Sequence, residues 1–232
     1  AATSPYDELA YGDLYQWGRP SDGHEKRNSS LRSTLSTTDQ PDHGDFITIS
    51  TSSSPVDWRS PQNDNLWQGA DGVNNPCPVG YRLPTAVELE AERASWSRND
   101  RVGAYWSPLK LPVAGSRLSG NGSLDNVGSR GFYWSSSSES SWYGTGSSFL
   151  NFYSSGAFVG SSYRATGFSV RCRKGGVSLK TDVEGNGSID PVGGIFALGT
   201  EVELTATPAG GWVFWGWTGD VPADLPDGVV TD

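Results

Sequence analysis

Apolar and polar positions along this chain of 232 residues alternate in short runs more often than they follow a helical period. Ser148-Phe149-Leu150-Asn151-Phe152-Tyr153 predicts a strand with Leu150 and Phe152 facing inward and Phe149, Asn151 and Tyr153 facing the other way. Ser154-Ser155-Gly156-Ala157 reads as the hairpin-type turn that follows it, and Gly167–Cys172 as a closing strand. Tyr15-Gln16-Trp17-Gly18-Arg19 is an aromatic strand end leading toward a long Ser/Thr-rich surface loop over 29–38. One helix is predicted. Thr85 is its N-cap, Glu88 three residues on completes a capping box, Leu89 and Trp96 face the core, and the helix ends near Ser95–Ser97.

Beyond Arg173-Lys174-Gly175-Gly176 the pattern changes. Val177–Thr181, Thr200–Ala206 and Trp212–Trp217 alternate as strands around a Gly185-Asn186-Gly187-Ser188 turn, which predicts a small all-β module. Its expected core is Trp212, Phe214 and Trp217 with Val202 and Leu204. The chain therefore reads as two domains, 1–174 and 175–232, mainly β with a few helices.

Composition narrows the class. With 30 Gly, 10 Trp, 9 Tyr, no Met and 19 % charged residues, this is a turn-rich surface protein whose aromatics can still bury a core. A net charge of −9 without a basic patch argues against phosphate-backbone binding, so no nucleic acid is expected as partner. No apolar run approaches the ~20 residues of a membrane helix, so no membrane insertion is expected. The chain opens on Ala1 with neither an initiator methionine nor a signal peptide, so its start reads as processed or trimmed. Cys77 and Cys172 are either two buried free thiols or one disulfide closing a large loop in an oxidising compartment, and the disulfide is the expectation.

Four segments, taken together and in order, carry a resemblance. They are Tyr11–Arg19, Asn75-Pro76-Cys77-Pro78-Val79-Gly80-Tyr81-Arg82-Leu83-Pro84-Thr85, Tyr133-Trp134-Ser135-Ser136-Ser137 and Gly167-Phe168-Ser169-Val170-Arg171-Cys172. They resemble the Fibrobacter succinogenes major paralogous domain family across most of 6–174. That resemblance implies a C-type-lectin-like fold in a bacterial lipoprotein or surface protein. Some members of the family are the variable proteins of diversity-generating retroelements, and the Ser-, Tyr-, Gly- and Asn-rich stretch 134–172 resembles their variable region. The family's opening strand, with its Trp-Met-Asp-Arg-Asn-Leu-like run, has no counterpart here, which leads us to expect a sheet edge to be covered. Gly187-Ser188-Ile189-Asp190-Pro191 and Gly211-Trp212-Val213-Phe214-Trp215-Gly216-Trp217 resemble a bacterial surface repeat, here expected to be cut short before its last strand.

Candidate chemistry is sparse. A Ser-His-Asp set needs a histidine base. His24 and His43 are the two histidines, and both stand in polar loop sequence, so no catalytic residue is assigned. Gln40-Pro41-Asp42 copies a tripeptide with which C-type lectins hold calcium, but it precedes the helix and lacks a later Trp-Asn-Asp. No metal ligand or other cofactor is expected, although Asn63-Asp64-Asn65 has oxygens that suit a structural calcium. Recognition remains. Tyr and Trp bring contact area at low entropy cost, and Ser, Gly and Asn adapt their hydrogen bonds. The expected binding patch is Trp142, Tyr143, Ser147, Asn151, Phe158, Ser161, Ser162 and Tyr163, exposed together and facing a protein or glycan ligand. The rival reading is a structural spacer or self-assembling surface protein without an external ligand.

Overall fold

The computed structural model describes residues 2–50, 56–139, 146–197 and 201–218. It is mainly β with few helices. The chain divides into two compact units, Ala1–Gly175 and Gly176–Asp232.

The strands of the first unit are β1 (Tyr15–Gln16), β2 (Leu31–Arg32), β3 (Phe46–Ile47), β4 (Tyr81–Arg82), β5 (Ser116–Arg117), β6 (Leu124–Asp125), β7 (Gly131–Glu139), β8 (Gly146–Tyr153), β9 (Gly156–Tyr163), β10 (Gly167–Phe168) and β11 (Arg173–Lys174). Helices α1 (Ala86–Ala94) and α2 (Arg101–Trp106) lie between β4 and β5. The long antiparallel sheet runs β7-β8-β9, and a sheet of short strands runs β1-β10-β5-β6. The Ser154-Ser155 turn closes β8 onto β9 with Tyr153 opposite Gly156.

Helix α1 starts where the sequence predicts. The Thr85 hydroxyl accepts from the Glu88 N–H, and the Glu88 carboxylate accepts from the Thr85 N–H. Leu89 is buried, and Trp96 packs edge-on against Phe152. Helix α2 was not expected, because six residues are too few to show a period. Asp100 caps it by accepting from the Val102 and Gly103 N–H groups. Gly103 is required there, since a Cβ would run into the carbonyl oxygen of Arg98.

Strand β8 is buried on both faces. Leu150 and Phe152 face α1 in a cluster with Leu89, Ala104 and Tyr133. Phe149, on the opposite face, joins Trp17, Trp67, Leu83, Trp134 and Phe168. The segments that carry the family resemblance interlock here. Tyr15 pairs with Phe168, the Trp17 indole N–H donates to the Ser135 carbonyl at 2.8 Å, and the Trp134 indole N–H donates to the Tyr15 carbonyl at 2.8 Å. The Cys77–Cys172 disulfide is formed, closing a loop with a sequence separation of 95. Gly167–Cys172 does not run on as one strand. Its first two residues form β10, and the chain then pairs again as β11, with Arg173 opposite Arg82 of β4.

Among its described residues the second unit has two two-stranded ladders, β12 (Gly176–Leu179) with β14 (Gly194–Ala197) and β13 (Gly187–Asp190) with β15 (Thr205–Pro208). The expected core does not form among the described residues. Trp212 and Trp217 are exposed, while Phe214, Val202 and Leu204 are only half-buried. Among the described residues, the two separate ladders offer no continuous second layer for the aromatic run to pack beneath. The expected strand over 200–206 begins instead at Thr205, and 212–217 is irregular.

Candidate functional site

The face of the long sheet that carries Phe149 is only partly covered. Phe168 from β10 lies against it, stacked on Phe132 at 5.0 Å and touching Trp134 and Phe149 at centroid distances of 4.5 and 4.8 Å. The β5–β6 hairpin forms an opposite wall. Between them is an open cleft of about 630 Å³. Phe132, Phe149 and Phe168 form its floor, and Ser116, Asp125, Ser162, Tyr163 and Thr166 are among the residues of its rim. An aromatic floor with a rim of hydroxyls and one carboxylate, Asp125, and with no Lys, Arg or His among the lining residues, offers nothing to pair with an anion and suits a neutral ligand with an apolar face.

The expected patch is reached only in part. Ser162 and Tyr163 line the cleft, Phe158 and Ser161 are exposed on β9, and Phe158 sits edge-on to Phe149. Ser147 and Asn151 are not exposed as expected: Ser147 lies beneath the buried Arg164, and Asn151 turns back onto the backbone of β7. The Ser147 hydroxyl accepts from Arg164 Nε at 3.1 Å, and Asn151 donates to the Gly131 carbonyl at 3.4 Å. Strand alternation also separates Ser161 from Phe158 and Ser162, which lie opposite Asn151 and Ser147. Trp142 and Tyr143 lie outside the described residues.

The cleft owes its shape to residues that sequence reasoning left out. Phe132 and the β5–β6 hairpin carry no motif or period that marks them in the sequence. Arg164, next to the expected Tyr163, is fully buried. Its guanidinium lies 4.5 Å from the Trp17 ring centroid, reaches Asp64 at 2.5 Å and Asp57 at 3.7 Å, and donates to the Gly146 carbonyl at 3.3 Å. Burial raises the Asp57 carboxyl to about 6 against the pull of Arg164. Arg164 thus ties the 57–64 segment to the start of β8, where a charge buried alone would be costly.

His24 is built into the core. Its Nε2 accepts from the Gln16 N–H at 3.0 Å, and its Nδ1 lies 2.6 Å from an Asp22 carboxylate oxygen. Burial lowers its pKa to about 4, with Arg19 adding to that and Asp22 opposing it, so the ring is neutral at neutral pH. Both nitrogens are thereby engaged, with Nδ1 donating, and no lone pair is left for a general base. Asp22, His24 and Glu25 are near enough to hold a metal ion. The cation beside them is the Arg19 guanidinium, 2.6 Å from Asp22, and Glu25 accepts from the Gly23 N–H at 2.8 Å. Gln40, of the lectin-like tripeptide, donates to the Asn74 side chain at 3.2 Å.

Residues 177–224 match the family model of the divergent InlB B-repeat domain, a bacterial surface repeat. No curated protein and no solved structure matches the chain. None of the described helices is long and apolar enough to cross a membrane.

Proposed function

We propose that the chain is a ligand-binding module displayed at a bacterial cell surface, with recognition carried by the cleft over Phe132, Phe149 and Phe168. The observation that carries this reading is the cleft itself. The half-buried Phe132, with Phe149 and Phe168 packed behind it, faces an open concavity with a hydroxyl-bearing rim, the form in which small apolar-faced ligands are usually held. The surface repeat over 177–224 supports the location. The ligand class is an uncharged glycan or protein segment with an apolar face.

A C-type-lectin-like fold for residues 1–174, of the Fibrobacter paralogous type, is the finer part of the reading. It rests on the four segments and gains support from their meeting in one core, through Trp17, Trp134, Phe168 and the disulfide. Retroelement diversification of 134–172 belongs to the same proposal. Trp134, Leu150, Phe152 and Phe168 hold the core and would stay apolar in sibling copies, while Phe158, Ser161 and Ser162 would vary. Ser147 and Asn151, being buried, move to the invariant set.

Ser162→Trp tests the site, because it fills the cleft from the rim and leaves the three floor rings in place. Ligand-observed NMR of the whole chain against a library of neutral mono- and disaccharides and short uncharged peptides should give binders. Those binders should be lost in Ser162→Trp at an unchanged melting temperature. Binders that persist in the variant would place recognition elsewhere.

A further inference from the structure

The long sheet has two edges, and the molecule treats them differently. The β7 edge is covered. The Trp134 N–H donates to the Ser169 carbonyl at 2.9 Å, the Ser169 N–H to the Phe132 carbonyl at 3.0 Å, and the Ser136 N–H to the Pro84 carbonyl at 2.8 Å. At the β9 edge, the two-residue turn makes Tyr153 and Gly156 the hydrogen-bonded closing pair. Phe158, Gly160 and Ser162 then turn their backbone groups toward β8, while Ala157, Val159 and Ser161 turn theirs outward. Among the described residues, no hydrogen bond reaches the outward groups of these three.

Proteins blunt such edges by keeping them short, by bulges, or with proline and charged side chains. Strand β9 has none of these devices. It runs for eight residues and keeps register with β8 throughout, from Tyr153 opposite Gly156 to Gly146 opposite Tyr163. From Ser140 to Tyr163 there is no Pro, Asp, Glu, Lys, Arg or His.

We propose that β9 is a self-association edge, and that its occupant is β9 of a second copy of this chain. The two strands run antiparallel about a two-fold axis at Gly160 and join two sheets into one of six strands. In that register Ala157 meets the Tyr163 position of the copy and Val159 meets Ser161, as hydrogen-bonded pairs. Phe158 meets Ser162, and Gly160 meets itself, as the open pairs between them. Every larger side chain thus faces a smaller one, so the strand is complementary to its own reverse. Charge favours the same occupant. A chain of net charge −9 repels its copies, and the stretch ending in β9 is one where like charges do not meet. Room is present as well, in a groove of about 720 Å³ bordered by the exposed Val87, by Glu90 and Arg93 of α1 and by Ala157–Val159. A contact of this length lies at the small end of specific interfaces, so the dimer forms reversibly with concentration. The axis stands perpendicular to the sheet, so both ring-floored clefts open on one side of the joined sheet, ready for bivalent capture.

Sedimentation equilibrium of the full chain over a wide concentration range tests the pairing. The mass of the wild-type protein should rise from 24.8 kDa toward twice that. Ser161→Pro deletes an outward N–H without touching the ladder to β8, and Ser161→Lys places a charge diagonally across the axis from its like in the copy, on the same face of the joined sheet. Both should stay at 24.8 kDa with the wild-type melting temperature, and Ser161→Thr should dimerise as the wild type does. Should Ser161→Pro fail to fold, Ser161→Lys decides. A wild-type chain that is monomeric up to its solubility limit, or a folded Ser161→Lys that dimerises like the wild type, would overturn the proposal.

Discussion

The two units treat the same residue type differently, even though Trp106 of the first is exposed on helix α2. In the first, Trp17, Trp58, Trp67 and Trp134 are each no more than 1 % exposed, and their indole N–H groups donate to backbone carbonyls. In the second, Trp212, Trp215 and Trp217 are 54, 95 and 38 % exposed. The difference lies in what surrounds each ring. A Trp can be fully buried only where layers close over it from both sides and a carbonyl waits for its N–H. The first unit supplies a long sheet, a sheet of short strands and two helices. The second supplies two ladders with Ile189 as the large apolar side chain buried among its described residues. An alternating aromatic run is therefore a necessary sign of a core and not a sufficient one.

The sharpest way to break this comparison is to remove one ring from each unit. Trp134→Ala should cost about 3–5 kcal/mol, because it empties a packed site and strands the Tyr15 carbonyl. It would show as a lower midpoint in denaturant unfolding of the first unit. Reduction of the Cys77–Cys172 disulfide comes next, at about 2–4 kcal/mol. Both cysteines lie in the first unit, so its melting temperature should fall while that of the second stays put.

Glu88 gives a smaller effect with a defined pH window. The Arg82 side chain donates two bonds of 2.7 Å to its carboxylate, and together with the Thr85 N–H and Arg173 this holds its pKa down at about 2. The folded value lies below the unfolded one of about 4.3. The stabilisation is therefore complete above pH ~4.3 and lost as pH falls toward about 2. After solvent screening it is on the order of 1 kcal/mol. Glu88→Gln should lower the melting temperature at neutral pH and flatten its fall through that acid window. Phe214→Ala should cost least, about 1 kcal/mol or below, since the half-buried ring touches Trp217 edge-on and has little else to lose.

What was legible in the sequence was local. The Thr85–Glu88 capping box, the Ser154-Ser155 turn and the inward Leu150 and Phe152 all follow from neighbours within a few positions. The disulfide was legible because the chain has two cysteines and a surface-protein composition. The fate of Ser147 and Asn151 was not. Alternation says that they project opposite Leu150, but only the folded chain brings Arg164 over Ser147 and turns Asn151 onto the Gly131 carbonyl. The cleft is invisible for the same reason, since Phe132, Phe168 and the β5–β6 hairpin come together only in the folded molecule. In the second unit the pattern over 200–206 and 212–217 was clear, and what failed was the assumption that strands with apolar faces always find a layer to bury them.

Native-state hydrogen–deuterium exchange of the whole chain, read by mass spectrometry, tests the contrast between the units most directly. Peptides from β7, β8 and the Trp17 region should exchange only through global opening of the first unit. Peptides covering 201–218 should exchange through low-energy local opening, orders of magnitude faster. Protection over 201–218 equal to that of β8 would contradict the account, because it would mean that the aromatic run of the second unit is buried as firmly as that of the first.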